Sequence, residues 1–295
     1  MICTHGFWKN NKKQILIDLW HGIPIKAMMY MEPDNRIYRE DGFNADYLIT
    51  SSKLESVLMG ACTHISYDKH RILGSPRNDY LLNKNSNLGT FDFMRNYDSV
   101  IIYVPTFRQG YLNRMEGQPS NNLFYFENFN KENFKKFLKE NDILLVIKYH
   151  PFEEKLKKNE SSLDDNIYHL TNKELINNDL DLYEILPHTD LLITDYSSIY
   201  FDYLLMDKPV IFTPVDLEEY SKDRGFLLEP YKYWTPGPKC KTQEVLQNEV
   251  LKSLCDNKYY KKEREQVKEI FHNYQDGKST ERVIELIEDI MKGVK

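Results

Sequence analysis

The stretch "LLITDYSSIYFDYLLMDKPVIF", residues 191–212, joins two apolar runs through a polar turn and a helical segment. The first run stops at Asp195, and the turn Tyr196-Ser197-Ser198 follows it. Apolar side chains then recur at helical spacing until Pro209 opens the second run. A strand, a helix and a second strand in this order are typical of parallel strands joined by a crossover. The stretch therefore predicts a unit of parallel α/β sheet with an acid and two hydroxyls at the tip of a buried strand.

Strands and helices alternate along the rest of the chain as well. Strands are predicted within residues 14–22, 45–52, 70–79, 99–108, 143–151, 166–171, 191–194 and 209–214. Helices are predicted at 53–60, 130–140, 181–189 and 198–206, and over most of 242–292. This alternation predicts an α/β fold with parallel sheets and helices on both faces. The polar, weakly periodic stretch 83–98 predicts a boundary between a first domain, 1–85, and a second, 86–295. The first series is short for a doubly wound lobe, so we expect the N-terminal lobe to be small or incomplete.

Composition excludes several classes of protein. The 295 residues carry a formal net charge of -6 without a basic stripe, which argues against nucleic acid as a partner. The four cysteines form no C-x-x-C pair and are typical of reduced thiols in a cytosolic protein. No apolar run approaches the roughly 20 residues that cross a bilayer, and the N-terminus lacks the apolar core of a signal peptide. We expect a cytosolic protein, and contact with a membrane surface stays open.

Polar side chains follow the predicted strands at the points where they end. In parallel sheets the carboxyl ends of the strands meet at one edge, where ligands bind. The side chains expected at this edge are His21, Arg77, Thr106, Arg108, His150, Asp195, Ser197 and Ser198. Arginine offers a planar fork to phosphate, although a salt bridge is the alternative for each arginine. The set suits a phosphorylated ligand better than an apolar one.

Two of these features have a local physical explanation. The helix predicted after Asp195 begins near Ser197, and free backbone N–H groups at a helix start attract anions. The alternative is that Asp195 or Ser197 only caps the helix. His21 precedes Gly22, which allows a sharp turn, and His150 precedes Pro151. The remaining histidines receive no role: His5, His64, His70, His169, His188 and His272.

Common cofactor motifs are missing from the sequence. It contains no G-x-G, no P-loop and no H-E-x-x-H, so the dinucleotide and zinc-protease fingerprints fail. The triplet "DLD", residues 179–181, resembles a metal-binding D-x-D, but it precedes a predicted helix and is better explained as a cap. We therefore predict no required metal and no cofactor.

Eight short segments occur in an order that resembles one protein family. They are "LWHGIPIK", "GSPRND", "VPTFR", "KYHP", "LLITDYSSIYFD", "DRGF", "TPGP" and "DGKSTERV". Together, from about Ile15 to Ile290, they resemble the CDP-glycerol glycerophosphotransferase family, which includes teichoic acid primases and polymerases and some capsule polymerases. The resemblance implies a GT-B-like architecture of two Rossmann-like lobes with the active site between them. Residues 1–85 would form the acceptor-side lobe, and residues 86–295 the CDP-alditol-binding lobe with a helical tail.

The resemblance also implies an activity and its partners. An alditol phosphate, with glycerol phosphate as the expected group, would pass from CDP-glycerol or CDP-ribitol to a hydroxyl of a polyol-phosphate or lipid-linked acceptor. CMP would be released, and the protein would lie at the inner face of the cell membrane. The family's motifs imply a role for each matching residue here. His21 would act as the general base, and His150 would contact the phosphates and help the leaving group depart. Asp195, Ser197 and Ser198 would hold the pyrophosphate. Arg224, from the R-G-F motif, would neutralise phosphate charge, and Arg108 would lie at the same cleft.

Two other functions remain open from the sequence. A GT-B nucleotide-sugar glycosyltransferase often carries a glutamate pair on the helix of its C-terminal lobe, and "DYSSIYFDYLL" contains no glutamate. A non-catalytic or truncated binding module is favoured by the short first lobe but opposed by the intact His21 and His150. Fold alone does not decide among the three.

Overall fold

The computed structural model describes residues 1–6, 9, 11, 13–33, 43–83, 88–106, 123–151, 153–154 and 163–293. In this part of the chain the strands form two sheets. The first has four parallel strands in the order β1-β2-β3-β4: β1 (Ile2–Cys3), β2 (Ile17–Asp18), β3 (Tyr47–Thr50) and β4 (His70–Ile72). The predicted α/β fold with parallel sheets is confirmed.

The second sheet has the order β10-β9-β5-β6-β8-β7 among the described residues. Its strands are β5 (Ser99–Val104), β6 (Ile143–Ile147), β7 (Leu163–Asp164), β8 (Ile167–His169), β9 (Leu191–Thr194) and β10 (Val210–Phe212). All neighbouring pairs are parallel except β7 with β8. The carboxyl ends of the central strands therefore meet at one edge, as the sequence predicts.

Helices cover the sheets. The described α-helices are α1 (Lys53–Thr63), α2 (Asp79–Leu82), α3 (Lys131–Glu140), α4 (Asn172–Asn177), α5 (Leu182–Ile185), α6 (Ile199–Tyr203), α7 (Leu217–Asp223), α8 (Tyr231–Trp234), α9 (Gln243–Cys255), α10 (Lys261–Phe271) and α11 (Ser279–Lys292). Short 3₁₀ helices lie at Met29–Met31, Tyr67–Lys69, Pro76–Asn78, Gly89–Asn96, Leu186–His188 and Leu204–Met206. Within the described ranges, no helix combines the length and the apolar character that a bilayer crossing requires.

The central strands of the second sheet, β6 and β9, are buried on both faces, which explains their continuous apolar runs. All five residues of β6 are buried. Because side chains alternate between faces, Leu144 and Val146 join one core cluster, while Ile143, Leu145 and Ile147 join the other. Fully burying each of these side chains stabilises the fold by about 1.5–3 kcal/mol relative to exposure.

Several predicted elements are shorter in the structure. The strand expected over 14–22 is reduced to Ile17–Asp18, and β1 and β7, each of two residues, were not predicted. The helix expected over 198–206 is α-helical only to Tyr203 and ends as the 3₁₀ turn Leu204–Met206. Asp207 then adopts a left-handed conformation, with φ of 53°, which stops the helix before β10.

The helical tail returns to the first sheet. In α11, Val283 packs with Ile17 of β2 and Ile49 of β3 in one apolar cluster. The Asp79 carboxylate accepts hydrogen bonds from the Ser279 and Thr280 backbone N–H groups, at 2.8 and 2.7 Å, and so caps α11. The chain changes sheets between β4 and β5, and the boundary drawn at residue 85 stays a prediction.

Candidate active site

The tips of the two sheets meet at Gly22. A Cβ atom at this position would lie 2.6 Å from Ser198 Oγ and 3.7 Å from Arg77 Nη2, so a larger residue collides there. Gly22 also has a φ of +156°, a backbone angle that residues with a side chain rarely adopt. The segments that follow β2, β4 and β9 therefore converge on one point, as expected for a site between two lobes.

A second contact holds the lobes together on one side of this point. Lys26 forms an antiparallel bridge with Phe226, and the Ala27 N–H donates to the Gly225 carbonyl at 3.0 Å. Gly225 has a φ of +76°, and a Cβ there would lie 3.3 Å from Ala27 Cβ. The segment after Arg224 is thus fixed against the strand-like segment that follows His21.

His21 lies just beyond β2, with part of its side chain exposed. Its Nδ1 lies 2.6 Å from the Thr4 carbonyl oxygen, which can only accept a hydrogen bond. Nδ1 must therefore carry the proton in this contact, and Nε2 of the neutral ring keeps its lone pair. This is the tautomer that a general base requires.

The environment of His21 favours the neutral ring. Desolvation lowers the pKa of His21 to about 4, with smaller contributions in the same direction from His5, Arg77 and Lys26. The hydrogen bond to Thr4 opposes the shift without cancelling it. The imidazole is therefore unprotonated at neutral pH.

His150 follows β6 and is exposed. Desolvation also lowers the pKa of His150, and the charges of Lys26 and Lys148 act in the same direction. Lys26 thus acts on both histidines, so its ammonium lies within electrostatic range of each. Lys26 lies within the segment "LWHGIPIK", but the sequence alone predicts no role for it.

Asp195 is fully buried, and its carboxylate accepts hydrogen bonds from the backbone of the loops after β5 and β9. One oxygen, Oδ1, accepts hydrogen bonds from the Thr106 N–H at 2.7 Å and from the Tyr196 N–H at 2.6 Å. The Asp195 carbonyl accepts a further bond, at 2.7 Å, from the Tyr231 hydroxyl. These contacts tie the end of β5 to the end of β9. They give Asp195 a structural role, and direct contact with a phosphate stays a prediction.

The hydroxyls beside Asp195 lack such partners in the part of the chain that the structure describes. Ser198 is the N-cap of α6, but its side chain makes no capping hydrogen bond. Across the described ranges, the half-buried hydroxyls of Ser197 and Ser198 have no hydrogen-bond partner, and neither does the buried Thr106 Oγ1. Ser198 thus makes no capping contact, and phosphate binding by these hydroxyls stays a prediction.

The predicted arginines have carboxylate partners. Arg77 Nη2 donates to Asp202 Oδ2 at 2.7 Å, and the guanidinium lies 5.2 Å from the centre of the Tyr183 ring. Arg224 Nη1 lies 3.1 Å from Glu32 Oε1. Both pairs join the two lobes. The salt-bridge alternative therefore describes both arginines in this structure, and phosphate binding by them stays a prediction. Arg108 lies outside the described residues.

Asp202 is the centre of the pairing with Arg77. Its buried carboxylate also accepts from the Asn78 side chain at 3.0 Å and from the Tyr183 hydroxyl at 2.7 Å. Burial alone would raise the pKa of Asp202, but Arg77 and the other partners outweigh it and hold that pKa below its usual range. Burial also disfavours the charged form of Arg77, yet Asp202 raises the pKa of that guanidinium. Both groups therefore stay charged.

His5, like Lys26, lies near His21 but has no role that the sequence predicts. Its ring is stacked on His21, with ring centres 4.1 Å apart and planes inclined by 10°. The signal available in the sequence is that His5, like His21, precedes a glycine.

A metal site does not emerge from the described ranges, where no group of three or more His, Cys, Asp or Glu side chains has the required arrangement. Asp181 of the "DLD" triplet caps α5, accepting from the Tyr183 N–H at 2.8 Å, while Glu184 Oε2 accepts from the Asp181 N–H at 2.9 Å. The capping interpretation of Asp181 is confirmed.

Comparison with known proteins identifies relatives. A family model described as CDP-Glycerol:Poly(glycerophosphate) glycerophosphotransferase matches residues 3–289. The teichoic acid ribitol-phosphate primase of Bacillus spizizenii is 29% identical over 255 residues, which cover 84% of this chain and 60% of the relative. The teichoic acid glycerol-phosphate transferase of Staphylococcus aureus is 28% identical over 290 residues, covering 92% and 70%. The chain thus spans 60 to 70% of the length of these relatives.

A solved structure shows the same fold. The wall teichoic acid polymerase TagF superimposes with a TM-score of 0.74 at 23% identity, over 97% of this chain and 71% of that chain. A variant of TagF was also solved after a soak with CDPG. The predicted GT-B-like fold class is confirmed.

Proposed function

Since the chain belongs to the CDP-glycerol:poly(glycerophosphate) glycerophosphotransferase family, we propose that it transfers an alditol phosphate from a CDP-alditol to an acceptor hydroxyl. The donor is CDP-glycerol or CDP-ribitol, in keeping with relatives named for glycerol phosphate and for ribitol phosphate. The acceptor is a polyol phosphate or a lipid-linked glycan, and the product belongs to teichoic acid or capsule-type polymer synthesis.

One observation carries this proposal. The half-buried hydroxyls of Ser197 and Ser198 lack partners in the described part of the chain, and Ser198 faces Gly22, the residue after His21. Hydroxyls at the start of a helix suit a pyrophosphate, and an adjacent neutral imidazole suits proton removal. The junction therefore combines an anion site with a base.

The reaction follows from this arrangement. The acceptor oxygen attacks the β-phosphorus of the donor while Nε2 of His21 takes the hydroxyl proton. The new bond joins the acceptor oxygen to phosphorus, and the bond from phosphorus to the bridging oxygen breaks. The electron pair of that bond leaves with CMP. Proton removal of this kind typically contributes about 100- to 10,000-fold.

The leaving phosphate needs stabilisation more than covalent chemistry. Lys26 and His150 supply positive charge or hydrogen-bond donors close to the same cleft. Arg224, whose guanidinium is about one-third exposed, lies two residues before Phe226, the partner of Lys26 in the bridge between the lobes. We assign these three residues to the pyrophosphate and CMP side of the site.

We also propose that the protein works on the cytosolic face of the cell membrane. Its four cysteines are free thiols, as is typical of a reducing compartment. A lipid-linked acceptor would bring the protein to the membrane surface. Flotation with vesicles that contain such an acceptor, compared with plain vesicles, tests this part of the proposal.

CMP release from CDP-glycerol and CDP-ribitol, measured with and without a polyol-phosphate acceptor in excess EDTA, tests the function. We expect release that depends on the acceptor and persists in EDTA. Turnover of a UDP-sugar instead would favour the glycosyltransferase alternative. Binding of the CDP-alditols without turnover would favour the non-catalytic module. Complete loss in EDTA, restored by magnesium, would contradict a metal-free mechanism.

A further inference from the structure

The N-terminal segment of the chain packs directly on the proposed base. The His5 ring is stacked on the His21 ring at 4.1 Å between centres, and the Trp20 ring lies 4.2 Å from His21. Ring contacts of this kind favour particular relative orientations of the two rings. One face of the His21 ring, which follows β2, is therefore covered by His5, which follows β1.

Thr4 connects the two imidazoles. Its carbonyl oxygen accepts from Nδ1 of His21 at 2.6 Å, and its hydroxyl lies 2.7 Å from Nδ1 of His5. One residue thus sets the tautomer of His21 and restrains the ring that is stacked on it. Neither contact involves the Nε2 atom of His21.

A buried carboxylate fastens this segment in place. Asp18, at the end of β2, accepts from the Gly6 N–H at 2.9 Å through Oδ2 and from the Trp20 N–H at 2.8 Å through Oδ1. The Leu19 N–H also donates to the Cys3 carbonyl at 2.8 Å. The loop that carries His5 and the loop that carries His21 are therefore held to the same side chain.

We propose that His5 is a positioning residue, which acts through His21 by holding its ring in the orientation that leaves Nε2 to take the acceptor proton. His5 itself touches neither donor nor acceptor in this account. The inference rests on the proposed function for its catalytic consequence, although the orientation of the ring can be measured without turnover.

Other charged groups around His21 do not duplicate this role. Lys26, from the segment after β2, and Arg77, from the segment after β4, lower the pKa of His21 through their charges. His5 acts through charge and through ring contact. A flat apolar ring at position 5 should therefore still hold the orientation of the His21 ring by stacking, although it carries no charge.

The test compares His5→Ala with His5→Phe. His5→Ala should lower kcat by about 10- to 100-fold, because small misplacements of a reacting group have effects of this size, and should leave KM for the donor within about twofold. His5→Phe should recover most of the loss. His64→Ala is the matched control, because His64 is also exposed and stacked, on Tyr30 at 3.6 Å, and should behave like the parent.

Nitrogen NMR of the His21 imidazole provides the readout that does not need activity. The parent and His5→Phe should show one tautomer with the proton on Nδ1. In His5→Ala the ring of His21 loses its stacking partner and can turn away from the Thr4 carbonyl, so a mixture of tautomers is expected. Should His5→Ala fail to fold, His5→Gln, which is polar but has no ring, takes its place with the same expectation. A single Nδ1–H tautomer and parental kcat in the variant without a ring would overturn the inference.

The failure of the proposed function looks different. A parent protein that releases no CMP from either CDP-alditol would contradict the transferase proposal. The NMR comparison would still support or overturn the role of His5, because it depends only on the folded protein.

Discussion

At the scale of single residues, His21 and His150 are similar in sequence setting but differ in their surroundings. His21 is held by the Thr4 carbonyl and by the His5 ring, which fix its tautomer and its face. His150 lies beyond β6, beside Lys148, and its pKa is lowered by desolvation and by nearby cations. We therefore propose His21, whose tautomer and ring orientation are held by these contacts, as the general base, and His150 as a contact for the phosphates.

His21→Ala should therefore lower turnover by at least about 100-fold while CDP binding stays nearly unchanged. The matched control is His188→Ala, because His188 is a half-buried histidine that precedes β9 and so lies at the opposite edge of the sheet. Steady-state CMP release and calorimetry with CDP measure the two effects. Surviving turnover in His21→Ala would move the base to another residue, with His150 the next candidate.

The pH dependence of the reaction follows from the same residue. The pKa of His21 is lowered to about 4, so the ring stays neutral through the range near pH 6.5 in which an ordinary histidine takes up a proton. Acid protonates the base and stops catalysis, so kcat/KM should stay level down to about pH 5.5 and fall only closer to pH 4. A profile whose acid limb lies at or above pH 6.5 would contradict the environment described for His21.

At the scale of elements, two helix starts that look alike in sequence behave differently. Asp181 forms a capping box at the start of α5, whereas Ser198 at the start of α6 makes no capping hydrogen bond. The sequence offers a capping residue at each start: Asp181 at the first, and Asp195 or Ser197 at the second. The difference arises because Asp195 accepts from the backbone N–H groups of Tyr196 and Thr106 and so fixes the turn before Ser198.

Asp181→Ala should therefore cost about 1 kcal/mol of unfolding free energy. Ser198→Ala should stay within about 0.5 kcal/mol, the range of substitutions that remove no specific contact. Urea denaturation of the two variants measures both values. A loss of stability in Ser198→Ala equal to that in Asp181→Ala would restore the capping explanation for Ser198.

The pairing of Arg77 with Asp202 joins elements of both lobes. Asp202→Ala leaves the Arg77 guanidinium without its carboxylate in a largely buried setting, so we expect a loss of about 3 kcal/mol. The control is Glu288→Ala, which breaks an exposed pair with Lys292 and should cost about 0.5 kcal/mol or less. An equal loss of unfolding free energy in the two variants would show that the Arg77–Asp202 pair stabilises the lobe junction no more than an exposed ion pair does.

The sequence predicts the long elements well and the contacts between them poorly. The apolar runs at β5, β6 and β9 and the cap at Asp181 are local signals, and the structure confirms them. β1 and β7 have only two residues each, too few to produce a periodic pattern. The carboxylate partners of Arg77 and Arg224 lie 125 and 192 positions away in the sequence, so no local sequence pattern predicts these pairs.

At the scale of the whole molecule, the site depends on the two lobes meeting. The candidate base follows a strand of the first sheet, and the hydroxyls that lack a partner among the described residues follow a strand of the second. The bridge between Lys26 and Phe226, the pairing of Arg77 with Asp202, and the packing of α11 on the first sheet hold the lobes in this relation. The motifs around these residues are separated by most of the chain, and only the fold brings them to one junction.

The central claim is that this junction binds the pyrophosphate of a CDP-alditol through Ser197 and Ser198. Calorimetry of the parent and of the variant with both serines changed to alanine, each titrated with CDP and with cytidine, tests it most directly. We predict that the variant binds CDP more weakly by roughly 1.5–3 kcal/mol, the range for hydrogen bonds to a charged group, and binds cytidine like the parent. Equal CDP affinity in the two proteins would contradict the claim.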